Sequence, residues 1–331
     1  MTEASPDLKA PRPLGRTGIA ITPVGLGCWQ FSKGRGLPGK FWTTLDDAEI
    51  RRIVSAALAG GINWFDTAEG YGAGESERAL ARSLRDLGRL PGQVVIATKW
   101  TPLLRRAASI ERTIGSRLAN LAPFPIDLHQ IHNPLSLSSV EKQVEAMARL
   151  VEAGQVRAVG VSNFSRRLME RAHRALDRLG RPLASNQVRY SLLDRSIERN
   201  GVLDAARDLD VTIIAYSPLA QGILSGRFHD EPGLAGRLPG FRKYMPGFRR
   251  GGLEKSRPVI EALRRIAPTY GATPVQVALN WVITKAGRTV VAIPGASRAG
   301  QVDDFLAAMS FRLSGADREE LDRISAPFLG K

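Results

Sequence analysis

The chain has 331 residues, 43% of them hydrophobic, with a formal charge of +15 and a single cysteine, Cys28. That apolar content supports a large core and excludes wholesale disorder, and no stretch approaches the roughly 20 apolar residues of a membrane span. One cysteine allows no internal disulfide, which fits a reducing cytoplasm.

The N-terminus reads Met1-Thr2-Glu3-Ala4-Ser5-Pro6, with acid and proline where a signal peptide carries a basic and then an apolar run. Residues 1–11 are therefore expected to be a flexible leader on a non-secreted protein. Arg12–Thr22 reads as a hairpin with Arg16-Thr17-Gly18 at its turn. From there, short apolar runs alternate with amphipathic segments, the pattern of a parallel sheet with crossover helices. The strands are predicted to start near Val24, Ile62, Val94, Ile126, Val156, Ala184, Val211 and Thr289. Helices are predicted over Asp46–Ala59, Glu75–Asp86, Ile110–Leu121, Ser138–Glu152, Ser165–Leu179 and Ile197–Leu209. Ser165 suits an N-cap, and Gly60-Gly61 a helix stop. A long Gly/Arg/Pro-rich loop follows the seventh strand, roughly Gln221–Gly252, and loops of that length usually serve function. Gly271–Lys285 adds a helix that begins at Thr273-Pro274, and Ser314–Ile324 reads as a terminal helix packed outside.

The first seven strand starts lie roughly 30 residues apart, the length of one βα unit. Eight such units closing on themselves give an α/β fold of the (β/α)8 TIM barrel type, here with the N-terminal hairpin plugging its floor. A doubly wound open sheet would place a glycine-rich phosphate loop after the first strand. Val24-Gly25-Leu26-Gly27-Cys28-Trp29 has two glycines there but no helix start behind them, so the barrel is preferred. No linker or low-complexity tract divides the chain, which is expected to form a single domain over residues 1–331.

The positive charge fits a solvated surface. Arg166, Arg167, Arg171, Arg174 and Arg178 fall at helical spacing, and no nucleic-acid-binding motif accompanies them. Neither nucleic acid nor membrane is expected as a partner, although a basic surface would steer a phosphate-bearing ligand inward. A homo-oligomer is compatible with everything in the sequence.

In this fold the chemistry sits at the carboxyl ends of the strands. The second strand ends at Asp66, with Tyr71 five residues on; the third ends at Lys99 and the fourth at His132. The fifth ends at Ser162-Asn163, the sixth at Gln187, and the seventh at Tyr216-Ser217; the eighth runs into Gly295, Ser297 and Arg298. Strand alternation puts Leu128, Gln130 and His132 on one face and His129 on the other. Each residue alone has an ordinary structural explanation. Together they suit proton transfer. A nearby ammonium is expected to lower the tyrosine pKa from near ~10, a carboxylate keeps that ammonium charged, and a histidine can bond a substrate oxygen. A hydride has to come from a cofactor. Trp29, Trp42 and Trp100 are expected to wall the substrate mouth.

The segment Phe65-Asp66-Thr67-Ala68-Glu69-Gly70-Tyr71-Gly72-Ala73-Gly74-Glu75-Ser76-Glu77 resembles the first signature of the aldo/keto reductase superfamily. Ile96-Ala97-Thr98-Lys99 is similar to its lysine strand and Leu128-His129-Gln130-Ile131-His132-Asn133-Pro134 to its histidine strand. Gly160–Phe164, Ala215–Leu219 and Ile293–Ser297 resemble its cofactor segments, and the motifs run in order from residue 14 to about 310. The Ser217–Gly226 run and the Pro294-Gly295-Ala296-Ser297 end resemble the bacterial and plant branch that includes the potassium-channel β-subunits.

The resemblance implies a catalytic tetrad of Asp66, Tyr71, Lys99 and His132, with NADPH as hydride donor to an aldehyde or ketone. It implies that Ser162, Asn163 and Gln187 hold the nicotinamide amide and that Tyr216 stacks on the ring. The backbone around Ser217, Leu219 and Gln221, together with Arg227, would meet the pyrophosphate. Gly295, Ser297, Arg298 and Gln301 would surround the adenosine end, the guanidinium favouring the 2′-phosphate of NADPH. Phe305 stands where the family often has an asparagine that reads adenine. Two other readings compete: a redox-sensing subunit that holds cofactor with little turnover, and a metal-dependent sugar isomerase. The second would need several carboxylates and histidines on a rim that offers one of each.

Overall fold

The computed structural model describes residues 8–330, so most of the expected leader lies outside the described residues. Strands β1 (Arg12–Pro13) and β2 (Ala20–Ile21) pair antiparallel as the expected hairpin. Eight parallel strands then follow in order: β3 (Leu26–Gly27), β4 (Trp64–Asp66), β5 (Val95–Trp100), β6 (Ile126–Ile131), β7 (Val156–Ser162), β8 (Leu183–Arg189), β9 (Thr212–Tyr216) and β10 (Val290–Ile293). Isolated parallel bridges, Val24 to Ala292 and Gly27 to Gly295, join the two ends into a nearly closed barrel. The fold is a (β/α)8 barrel.

The surrounding helices begin where the sequence offers caps. α1 (Asp47–Ala59) is capped by Asp46, whose side chain accepts from the Glu49 amide, and α2 (Glu75–Asp86) follows the Tyr71 loop. α3 (Ala108–Leu121) leads to α4 (Val140–Glu152), capped by Ser139, and α5 (Arg166–Asp177), capped by Ser165 as expected. Each such cap contributes ~1 kcal/mol. The helix expected over Ile197–Leu209 is broken into a turn, Ser196–Arg199, and α6 (Val202–Asp208). Gly201, at φ +78°, separates them, a left-handed conformation no continuous helix contains. α7 (Arg250–Ile266) precedes α8 (Pro274–Lys285), which Thr273 and Gln276 start with a reciprocal capping box. α9 (Gln301–Ala307) and the outer α10 (Gly315–Ile324), capped by Ser314, complete the ring.

The hairpin plugs the floor. Leu14, Ile19 and Ile21 pack among Trp64, Ala97, Leu128, Ala158, Ile214 and Val291, the lower inward residues of the barrel strands. Arg12 reaches across to the Gly287 and Val290 carbonyls, and Trp64 Nε1 donates to Thr22 O at 2.8 Å. With the floor filled by apolar side chains, the next inward residue of each strand faces the open rim. The long loop after β9 is not featureless. It folds into successive helical turns over a small cluster of its own that includes Ile223, Phe228, Leu238, Phe248 and Leu253. Among the described residues no helix is long and apolar enough to cross a membrane.

Candidate active site

Strand parity builds the site. Two residues above Trp64 is Asp66, two above Ala97 is Lys99, and two above Leu128 is Gln130, with His132 two beyond. In register, Asp66 of β4 is opposite Ala97 of β5, one inward step before Lys99, and Lys99 is opposite Gln130 of β6. Lys99 is fully buried and forms an ion pair with Asp66; its Nζ also donates to the Thr67 carbonyl at 2.9 Å. The second Asp66 oxygen accepts from Gln130 Nε2 at 3.0 Å and Gln187 Nε2 at 2.8 Å. A buried ion pair persists only when its remaining lone pairs and protons are satisfied, and here they are. Gly160 makes room for this arrangement: a Cβ there would lie 2.5 Å from Ser185 Oγ and 3.0 Å from Gln130 Cγ.

Tyr71 hangs over the pair from the β4–α2 loop. Lys99 Nζ lies 5.1 Å from the centre of its ring, and the His132 ring meets it edge-on at 5.6 Å. The loop is fixed from below. Glu69 accepts from the Thr101 amide at 2.6 Å and pairs with Arg105 and with the buried Arg117. Gly72, at φ +66°, lies against the Ser32 backbone with no space for a Cβ.

The electrostatics correct one expectation. Burial raises the Tyr71 hydroxyl above the usual tyrosine value, and Lys99 pulls it down without reversing that direction. The sequence exposes the ammonium but not the desolvation. Tyr71 is thus protonated across neutral pH. Burial alone would lower Lys99, but the Asp66 charge and Tyr71 outweigh it and raise the net value. Burial and then Lys99 push His132 down to about 3, so its ring is neutral.

Asp66, Tyr71 and His132 line a cavity of about 980 Å³, which also reaches every expected cofactor contact from Ser162 and Asn163 to Arg298 and Gln301. Ser162 donates to the Gln187 carbonyl, and Tyr216 Oη donates to Asn163 Oδ1 at 3.0 Å. After β9 the backbone takes positive φ at Ser217, Ala220, Gln221 and Gly222. Such strain in non-glycine residues costs free energy and clusters at ligand clamps. Gln301 Oε1 accepts from the Ser297 and Arg298 amides at 2.8 and 3.2 Å, which shapes the loop after β10. Phe305 is buried at the cavity lining. The cavity suits a long polyanion: neither Arg227 nor Arg298 meets a carboxylate among the described residues, and the charge acting on Arg227 is that of Arg298 itself.

Two of the three tryptophans expected at the mouth, Trp29 and Trp42, line the cavity. Trp29 stacks on Tyr71 at 5.7 Å and on Phe41 at 4.8 Å, and Trp42 meets Trp29 edge-on. Trp100 does not line it. It is fully buried, its Nε1 donates to Ser109 Oγ of α3, and Arg105 covers its ring. Lys99 points inward, so the next residue must point outward. Strand alternation puts Gln130 on the His132 face without showing that it holds Asp66, and no pattern in the sequence marks the role of Glu69.

The family model described as the aldo/keto reductase family matches residues 23–326. An uncharacterized oxidoreductase of Mycobacterium tuberculosis is 37% identical over 308 residues, covering 93% of this chain and 90% of that protein. The chloroplastic pyridoxal reductase of Arabidopsis thaliana is 33% identical, covering 92% and 83%. The structure of an aldo-keto reductase from Klebsiella pneumoniae in complex with NADPH superposes with a TM-score of 0.72 at 27% identity, covering 96% and 95%.

Proposed function

This chain belongs to the aldo/keto reductase family of oxidoreductases, and on that footing we propose that it reduces an aldehyde or ketone to the alcohol with NADPH, Tyr71 giving the proton. One observation carries the reading: the buried Asp66–Lys99 pair lies beneath a protonated tyrosine at the floor of a cavity lined by arginines.

When bound, NADPH supplies the hydride, which no side chain can. Tyr71 Oη gives its proton to the carbonyl oxygen as that oxygen gains negative charge. Lys99, kept charged by Asp66, faces the phenolate left behind and recruits a replacement proton from solvent. Neutral His132 donates a hydrogen bond to the same substrate oxygen, and the aromatic wall of Trp29 and Trp42 keeps water away from it. Alcohol oxidation runs through the same groups in reverse. Ser162, Asn163 and Gln187 would hold the carboxamide, with Gln187 offering its carbonyl oxygen because its Nε2 is committed to Asp66. Tyr216 would stack on the ring. Ser217, Leu219, Gln221 and Arg227 would take the pyrophosphate, and Gly295, Ser297, Arg298 and Gln301 the adenosine end. The pyridoxal reductase relative supports a carbonyl substrate, and the NADPH-bound neighbour supports a nicotinamide cofactor.

The test is a panel of carbonyl compounds, pyridoxal included, followed by NADPH absorbance with NADH in parallel. Consumption dependent on carbonyl and faster with NADPH is expected. No consumption with any carbonyl would defeat the reading.

A further inference from the structure

The cavity wall contains a cation that this reaction leaves unused. Arg242 comes from the helical turn Gly240–Tyr244 in the long loop after β9, is 4% exposed, and lines the cavity. Its Cζ lies 4.2 Å from the Trp42 ring centre, 5.5 Å from that of Phe248 and 5.9 Å from that of Phe41. Nη2 donates to the Gln221 carbonyl at 2.8 Å, while Nε is buried without a partner. No acidic side chain among the described residues pairs with it. Burial first, and then Arg227, push its pKa down to about 10, so it is still a cation at neutral pH. A guanidinium buried without a counter-ion is costly, and a carboxylate that reached its remaining N–H donors from the cavity would offset that cost.

Gln221 and Arg227 flank Arg242 toward the expected pyrophosphate contacts, while its aromatic neighbours lead to the substrate side. Trp42 and Phe41 both contact Trp29, and Trp29 stacks on the proton donor Tyr71. Arg242 therefore stands at the far end of an aromatic wall that begins at the reacting hydroxyl. The cofactor phosphates have Arg227 and Arg298 to meet them.

We propose that Arg242 is a specificity-determining residue that binds a carboxylate at the far end of the carbonyl substrate. The preferred substrates are then oxo acids whose carbonyl and carboxylate are separated by an apolar spacer lying along Trp29, Phe41 and Trp42. This rests on the carbonyl-reductase reading.

The test compares ω-oxo carboxylates of increasing chain length with n-alkanals of the same lengths, at saturating NADPH. The parent protein should prefer the acid over the matched alkanal in kcat/KM by roughly tenfold or more at one chain length, the size of a charge-assisted contact. Arg242→Met keeps an apolar stem against Trp42 and removes the charge; it should erase that preference mainly through KM. Arg242→Lys should keep part of it. NADPH affinity, read from the fluorescence of the bound nucleotide, should stay within about twofold in both variants. No preference in the parent protein would overturn the proposal. So would an equal loss for acids and alkanals in Arg242→Met, which marks Arg242 as support for the wall, or a loss of NADPH affinity, which marks it as a phosphate ligand. Reduction of neither class with NADPH still bound would overturn this inference, and the carbonyl panel then decides the wider reading.

Discussion

Replacing Lys99 by methionine, close to it in length, isolates the electrostatics of the site. The ammonium is fully buried and serves Asp66, the Thr67 carbonyl and the Tyr71 hydroxyl. Without it Asp66 keeps two amide donors, Gln130 at 3.0 Å and Gln187 at 2.8 Å, but loses its counter-charge. Breaking a buried pair on one side costs about 3–5 kcal/mol, because a lone charge stays behind. For 331 residues that is a fall in Tm of about 4–7 °C, at ~1.4 °C per kcal/mol. Asp66→Asn in the same chain removes the stranded charge and should restore at least half of the loss. In the parent chain the raised Lys99 value means that its contribution holds up to the unfolded lysine value near ~10.4 and is lost as pH rises through the folded one. Calorimetry of the parent, the single and the double variants at neutral pH, with the parent also followed above pH ~10, measures all of this. A single variant that loses less than about 1 kcal/mol, or a double variant no better than the single, would refute the argument that a stranded charge sets the cost.

Three more outcomes are expected. The rate of NADPH-dependent reduction should be flat across roughly pH 5–9 and should fall only above ~10, as pH rises through the raised Tyr71 value. An inflection near ~6.5 in that profile would mean that His132 titrates there, against the burial that holds it at about 3. Trp100→Phe should lower stability by ~1–2 kcal/mol, through the lost Ser109 contact and lost volume, and leave substrate KM unchanged, whereas Trp29→Ala should raise KM; denaturation and steady-state kinetics separate the two. Arg298→Ala should weaken NADPH roughly tenfold or more and leave NADH nearly unaffected, as read by titration of the two nucleotides.

The barrel is legible in the sequence because its signal is periodic. Inward strand residues alternate with outward ones, and the second to seventh strands each have a polar residue where they stop, so the strand ends bring Asp66, Lys99 and His132 to one rim. The same alternation also excludes Trp100 from the mouth, since a strand that aims Lys99 inward must aim its neighbour at α3. The helix break at Gly201 depends on one backbone angle, which a glycine permits but does not announce. Gln130 has a readable face but not a readable partner, because which acid it bonds is set by the register of β5 and β6. Arg242 is illegible for a different reason. The loop that carries it has no period, and nothing in the sequence separates one arginine buried against Trp42 from the exposed ones around it. The direction of the Tyr71 pKa depends on desolvation, which only the packed site reveals.

The central claim is that the Tyr71 hydroxyl delivers the proton, and Tyr71→Phe tests it most directly. The variant keeps the ring stacked on Trp29 and removes one oxygen. With a carbonyl that the parent protein reduces, kcat should fall by about 10²–10⁴-fold, the usual share of general acid catalysis, while NADPH affinity stays within about twofold. A variant that still turns over at near-parental rate, or one that loses NADPH binding as steeply as it loses turnover, would contradict the account.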